Sequence, residues 1–171
     1  MNRVLFITQS ITPEFSRHSL LIFLARNLKK KDLEFRFIEY NPTEKIDNIK
    51  QKKINDYNLF IYSSRLKSFA QIILEVSSLK SNDILLIGGY GHLECWITLL
   101  IANLKDLKIV GWLGASSKST INNTFFHKIL KKFFISKLSS IVTYGKLSTQ
   151  FYEDLGFPRE KIFTGLNSSD T

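Results

Sequence analysis

With one cysteine in 171 residues, Cys95 cannot form an internal disulfide, and no C-x-x-C pair or Cys/His spacing for zinc is available. A reducing, cytoplasmic setting is therefore expected, with no metal and no bound cofactor. Proline and glycine are scarce, at 3 and 8 residues, which excludes collagenous and low-complexity chains. Acidic residues are in deficit, 15 against 24 Lys plus Arg, leaving a net charge of +9. A partner of negative charge is implied: nucleic acid, anionic lipid headgroups or a phosphorylated substrate. Long apolar runs are missing too. Val4 to Ile7 stops at Thr8-Gln9, short of a signal peptide, and Trp96 to Leu104 is broken by Thr98 and Asn103, short of a bilayer span.

The residues present are those of a packed domain: 44 % hydrophobic and 13 % aromatic. Short apolar runs at Val4–Ile7, Glu34–Ile38, Leu59–Tyr62, Ile84–Ile87, Lys108–Trp112 and Ser140–Tyr144 predict strands, most without polar alternation, as in a parallel sheet covered on both faces. Helical patterns run over His18–Lys31, Leu66–Leu79, His92–Leu104, Asn122–Leu138 and Lys146–Leu155. This alternation predicts a doubly wound α/β fold, Rossmann-like, with three layers and a mostly parallel sheet. The polar stretch Pro42–Asp56 reads as a loop with a short surface helix, and Lys50-Gln51-Lys52-Lys53 as a solvated face. A further strand is expected at Lys161–Gly165, before the loop Asn167–Asp170.

In open α/β sheets ligands sit outside the carboxyl ends of the strands, so the loops there are the places to look. After the first strand, Thr8 to Ser16 offers hydroxyls and Glu14, with Ser16 also a plain helix N-cap. After the fourth, Gly88-Gly89-Tyr90-Gly91-His92 could bring backbone N–H groups to a phosphate, but Glu94 stands where a third glycine would complete G-x-G-x-x-G. After the fifth, Gly111 to Thr120 carries Gly114, Ser116 and Lys118, suited to an anion or sugar hydroxyls, or simply to a tight turn capped by Ser119 or Thr120. Of the histidines, His92 is the candidate ligand contact, while His18 and His127 lie within helical patterns. No nucleophile, base and orienter fall in a recognisable order. The candidate binding residues are thus Gly88, Gly89, His92, Gly114, Ser116 and Lys118, recognising hydroxyls or phosphate without covalent chemistry.

In the helical segment Asn122–Leu138, Phe125, Phe126, Ile129, Leu130, Phe133 and Phe134 form one apolar face, with Lys128, Lys131 and Lys132 opposite and Ile135 intruding among them. No acidic residue occurs from Leu107 to Tyr152. A core helix with a solvated lysine face accounts for this pattern. So does an interfacial helix whose Lys128, Lys131 and Lys132 meet an anionic membrane.

The C-terminal third carries a resemblance. Trp112-Leu113-Gly114-Ala115, the lysine-rich helix, Ser140 to Gly145, Phe151 to Ile162 with Leu155-Gly156-Phe157-Pro158, and Leu166-Asn167-Ser168-Ser169-Asp170-Thr171 resemble, in order and spacing, the close of the N-terminal domain in family 4 glycosyltransferases of the GT-B fold. Leu24 to Leu28 is similar to that family's first helix. The sequence departs from the pattern in having no glycine between Gln9 and Ser16, and Gly114 where many members carry a histidine.

The resemblance implies that residues 1–165 are the acceptor-side half of a GT-B enzyme and that 166–171 begin the interdomain linker, with the donor domain absent from the 171 residues. It further implies a nucleotide-sugar partner only when a donor domain, supplied by a second polypeptide or by a missing part of the same gene, completes the cleft. The acceptor would be lipid-linked or a surface polysaccharide such as lipopolysaccharide. The setting would be cytoplasmic or peripheral on the inner face of the membrane, with no nucleic acid. A non-catalytic binding or scaffold subunit, or a truncated remnant, is the alternative. Left without its neighbouring half, the last strand and the cleft face are expected to favour self-association or partner capture.

Overall fold

The computed structural model describes residues 2–9, 26–31, 33–40, 50–54, 57–62, 65–115 and 125–165. Within them eight strands form one sheet in the order β3-β4-β2-β1-β5-β6-β7-β8. These are β1 (Asn2–Gln9), β2 (Leu33–Tyr40), β3 (Lys50–Ile54), β4 (Tyr57–Tyr62), β5 (Ile84–Gly88), β6 (Lys108–Leu113), β7 (Ser140–Thr143) and β8 (Ile162–Thr164). Helices α1 (Arg65–Ser78), α2 (Leu93–Leu104), α3 (Phe125–Ser136) and α4 (Lys146–Asp154) alternate with the later strands. Every described pairing is parallel except β3 with β4. That exception corrects one expectation. Lys50 to Lys53 is neither loop nor surface helix but part of an antiparallel edge strand, Lys50 facing Ile61 and Ile54 facing Tyr57. Lysines on an edge deter a further strand from pairing there, so a run that reads as merely solvated also suits the rim of a sheet.

The sheet has one heavily packed face. Leu5 and Ile7 of β1, Leu85 and Ile87 of β5, Ile109 and Leu113 of β6, and Ile141 of β7 alternate onto it, where they meet Ile72 and Val76 of α1, Cys95, Leu99 and Ala102 of α2, Phe134 and Ile135 of α3, and Tyr152 of α4. The period of two in the strands and the 3.6 period of the helices converge on this layer. The other face carries Val4, Phe6 and Thr8, all buried. There Phe6 stacks on Trp112 with ring centroids 5.2 Å apart and planes 2° from parallel. The β1–β2 connection, which includes a helical turn at 26–29, runs opposite to the crossovers that carry α1 to α4. Right-handed crossovers place oppositely running connections on opposite faces, giving three layers. Of the expected helix His18–Lys31, the part before residue 26 lies outside the described residues.

Direction along the sheet changes at β1, flanked by β2 on one side and β5 on the other. In register, Val4 lies opposite Ile84 and Thr8 opposite Gly88. The chain therefore leaves these neighbouring strands toward opposite faces, and a crevice opens between them at their carboxyl ends.

Candidate functional site

A cavity of about 320 Å3 occupies that crevice, lined by Thr8 from β1, the loop Gly88 to His92 after β5, Trp112 to Ala115 at the end of β6, Tyr144 after β7 and Tyr152 of α4. Close approach explains two of its glycines. A Cβ on Gly88 would lie 2.7 Å from Thr8 Cβ, and one on Gly114 would overlap the Tyr144 ring. No side chain fits at either position without moving a wall of the cavity. Two hydrogen bonds fix those walls: Trp96 Nε1 donates to the Tyr90 carbonyl at 2.9 Å, tying the glycine loop to α2, and Ser148 Oγ donates to the Ala115 carbonyl at 2.7 Å, tying the loop after β6 to α4. Below them the hydroxyls of Thr143, Thr149 and Thr164 form a chain, 2.7 and 2.9 Å apart, that joins β7, α4 and β8.

Of the residues singled out from sequence, Gly88, Gly89, His92 and Gly114 line this one cavity. Ser116 and Lys118 lie outside the described residues, as do the expected caps Ser16, Ser119 and Thr120. Thr8, Tyr90 and Trp112 fall in the strand-end loops that the sequence pointed to but were not among its candidate residues, and Tyr152 was missed. Tyr144 was visible as the end of a strand, but its approach to Gly114 is a tertiary fact.

His92 takes the N-cap position of α2 with extended backbone and no side-chain capping bond, and Glu94, which interrupts the glycine pattern in the sequence, is almost fully buried in the first turn. Burial raises the phenol pKa of both Tyr90 and Tyr152 above the usual range, so both stay neutral donors at physiological pH. The Tyr152 hydroxyl is fully buried, beside the Tyr90 hydroxyl and the Ala115 backbone. Among the described residues no acid or thiol lines the cavity, and none of their His, Cys, Asp and Glu side chains is grouped to hold a metal.

Helix α3 is turned differently from its expected orientation. Phe134 and Ile135 are buried, but so is Lys131, while Phe126, Ile129 and Phe133 are exposed together with Lys128 and Lys132. Lys131 therefore does not share an exposed lysine face. Its ammonium lies 5.8 Å from the Tyr90 ring centre and 5.6 Å from that of Phe151, a seat between two aromatic faces. Desolvation, with repulsion from Lys128, lowers its pKa. An apolar stripe spanning half a helix cannot be buried along both edges, and the Tyr90 and Phe151 rings make it possible to bury the edge that contains Lys131.

No protein-family model matches this sequence, and no curated protein matches it. Solved structures do. The chain is similar to a putative UDP-N-acetylglucosamine 2-epimerase from Listeria monocytogenes, with a TM-score of 0.60 and 12 % identity over 95 % of this chain and 44 % of that one. It is similar to S. aureus MnaA in its co-structure with UDP, at 0.61 and 13 % over 98 % and 44 %. It also resembles Anabaena HepE with UDP and glucose, at 0.58 and 9 % over 99 % and 45 %. The chain thus spans less than half the length of these structures, and its three-layer α/β fold is that of one half of a GT-B-type fold.

Proposed function

We propose that this chain is the acceptor-binding half of a nucleotide-sugar-dependent glycosyltransferase of the family 4 type, acting on a surface polysaccharide or glycolipid. The supporting observation is the lining of the crevice. Thr8, His92, Trp112, Tyr144 and Tyr152 line a cavity with no acid or thiol among the described residues. Aromatic and hydroxyl side chains suit a saccharide, and such a site can position a hydroxyl for attack. Residues 1–165 then form one unit, and 166–171 lead toward a linker. Transfer requires a donor domain, supplied by a second polypeptide or a further part of the chain, to hold the nucleotide-sugar across the cleft. The lipid-linked or polysaccharide acceptor and a place on the inner face of the membrane follow from the same reading. Among the described residues no helix is long and apolar enough to cross a membrane.

Calorimetric titration with UDP-sugars and with acceptor oligosaccharides, in the presence and absence of a separately expressed donor domain, tests this. The chain alone is expected to bind acceptor and to engage UDP-sugar only with the donor domain. Tight UDP-sugar binding by the chain alone would assign it to the donor side, and silence in every arm would favour a non-catalytic scaffold or a remnant. Gly114→Ala drives its Cβ against the Tyr144 ring and is expected to weaken acceptor binding about tenfold while costing about 1–3 kcal/mol of stability.

A further inference from the structure

Lys131 is a buried cation with no ion-pair partner among the described residues. It is only 7 % exposed, and its ammonium sits over the ring of Tyr90 from the loop after β5 and the ring of Phe151 from α4. The charged group that acts on it is Lys128, one turn earlier on its own helix, which repels it and adds to desolvation in lowering its pKa. A cation taken out of water without an anion is destabilising, and aromatic faces offset only part of that. Such a charge is a candidate for a partner that arrives from outside the chain.

Its neighbours tie it to the crevice. Tyr90 lines the cavity, and so does Tyr152, whose ring meets that of Phe151 edge-on at 5.2 Å. Lys131 itself is not part of the lining. Its charge therefore acts on the cavity from behind the wall, where the low dielectric leaves it little screened. A second, independent contribution has the same sign. Helix α4 begins directly after the lining residue Tyr144, with Gly145 as its N-cap, no side-chain capping bond and no acid in its first turn, so the positive end of its dipole is not neutralised locally. Glu94 is buried in the first turn of α2 and does not line the cavity. We propose that the saccharide held in the crevice is anionic, bearing a carboxylate or a phosphate, and that Lys131 is the residue that selects it over a neutral one. This rests on the saccharide reading above and adds the class of substrate. Lys131 is a positioning residue here, setting the potential at the wall that Tyr90 and Tyr152 form.

Calorimetric titration of the full chain with matched pairs tests this. The pairs are tetramers of galacturonate, glucuronate and mannuronate beside their carboxyl-reduced neutral counterparts, and glucose 1-phosphate beside glucose, with UDP as a separate arm. The charged member of a pair is expected to bind about tenfold more tightly than the neutral one. Lys131→Met should remove that advantage and Lys131→Arg retain most of it. Lys132→Met, which removes the same charge from an exposed position of the same helix, should leave it intact. Lys131→Met also exchanges an unpaired buried cation for an apolar chain of similar length, so its urea midpoint should rise, which a lysine kept for packing alone would not show. Equal affinity for charged and neutral saccharides overturns the proposal and leaves the saccharide reading standing. A charge preference that survives Lys131→Met overturns it too, as does a lower urea midpoint in that variant. Lys131-dependent binding of UDP without binding of any charged saccharide would assign the charge to a nucleotide and overturn it. Silence in every arm fails the saccharide reading itself, and this proposal with it.

Discussion

At the scale of single residues, Asp83 shows how a buried charge is kept. Burial favours its neutral form, but N–H groups of Lys80 at 2.8 Å and Arg3 at 2.7 Å, with the Arg3 guanidinium at 3.0 Å, outweigh that and hold its pKa below the usual carboxylate value. A lowered folded pKa means the carboxylate contributes stability above its unfolded value of 3.8 and loses it as pH falls through the folded one. Asp83→Asn should therefore cost about 1.5–3 kcal/mol at neutral pH, a deficit that narrows below about pH 4 in urea unfolding curves. Nothing in the sequence marked Asp83, because its partner Arg3 lies 80 residues away. His92 and the glycines were visible because loop chemistry is local. Tyr152 was not, since its place in the cavity wall depends on how α4 docks.

At the scale of elements, two helices end alike with different residues. After α4, Gly156 has φ 92°, its N–H bonded to the Glu153 carbonyl and that of Phe157 to the Tyr152 carbonyl. After α2, Asp106 takes the same place with φ 53°, its N–H on Asn103 and that of Leu107 on Ala102. This pair of bonds needs a left-handed residue, which glycine adopts without strain and aspartate does not. The carboxylate also faces the negative end of the helix. Asp106→Gly should raise stability by about 0.5–1 kcal/mol, read as a higher urea midpoint at unchanged slope. The glycine of Leu155-Gly156-Phe157-Pro158 is thus explained by its turn. Helix existence was legible throughout this half of the chain, whereas the rotation of α3 was not. Its stripe is wide enough to bury either edge, and the Tyr90 and Phe151 rings that receive Lys131 come from distant parts of the sequence.

At the scale of the whole molecule, one buried cluster runs from Leu5 in β1 to Ile162 in β8, and a continuous core favours one cooperative transition. Trp112 reports on one face of the sheet and Trp96 on the other. Their combined fluorescence and far-ultraviolet circular dichroism should give coincident urea curves, and two separated midpoints would show that the faces unfold apart. Composition and periodicity by themselves determined the α/β class, the parallel character of the sheet and most element positions, because apolar runs and helical stripes are local records of burial. The sequence also placed the glycine loops at strand ends, where any such sheet opens its crevice. Only the tertiary structure decided the strand order, the pairing of the lysine-rich edge strand, the cavity shared by Thr8, Trp112 and Tyr152, and which edge of α3 faces water. Each of those depends on contacts between residues far apart in the chain, and a local pattern cannot encode which distant side chains will be there to meet it.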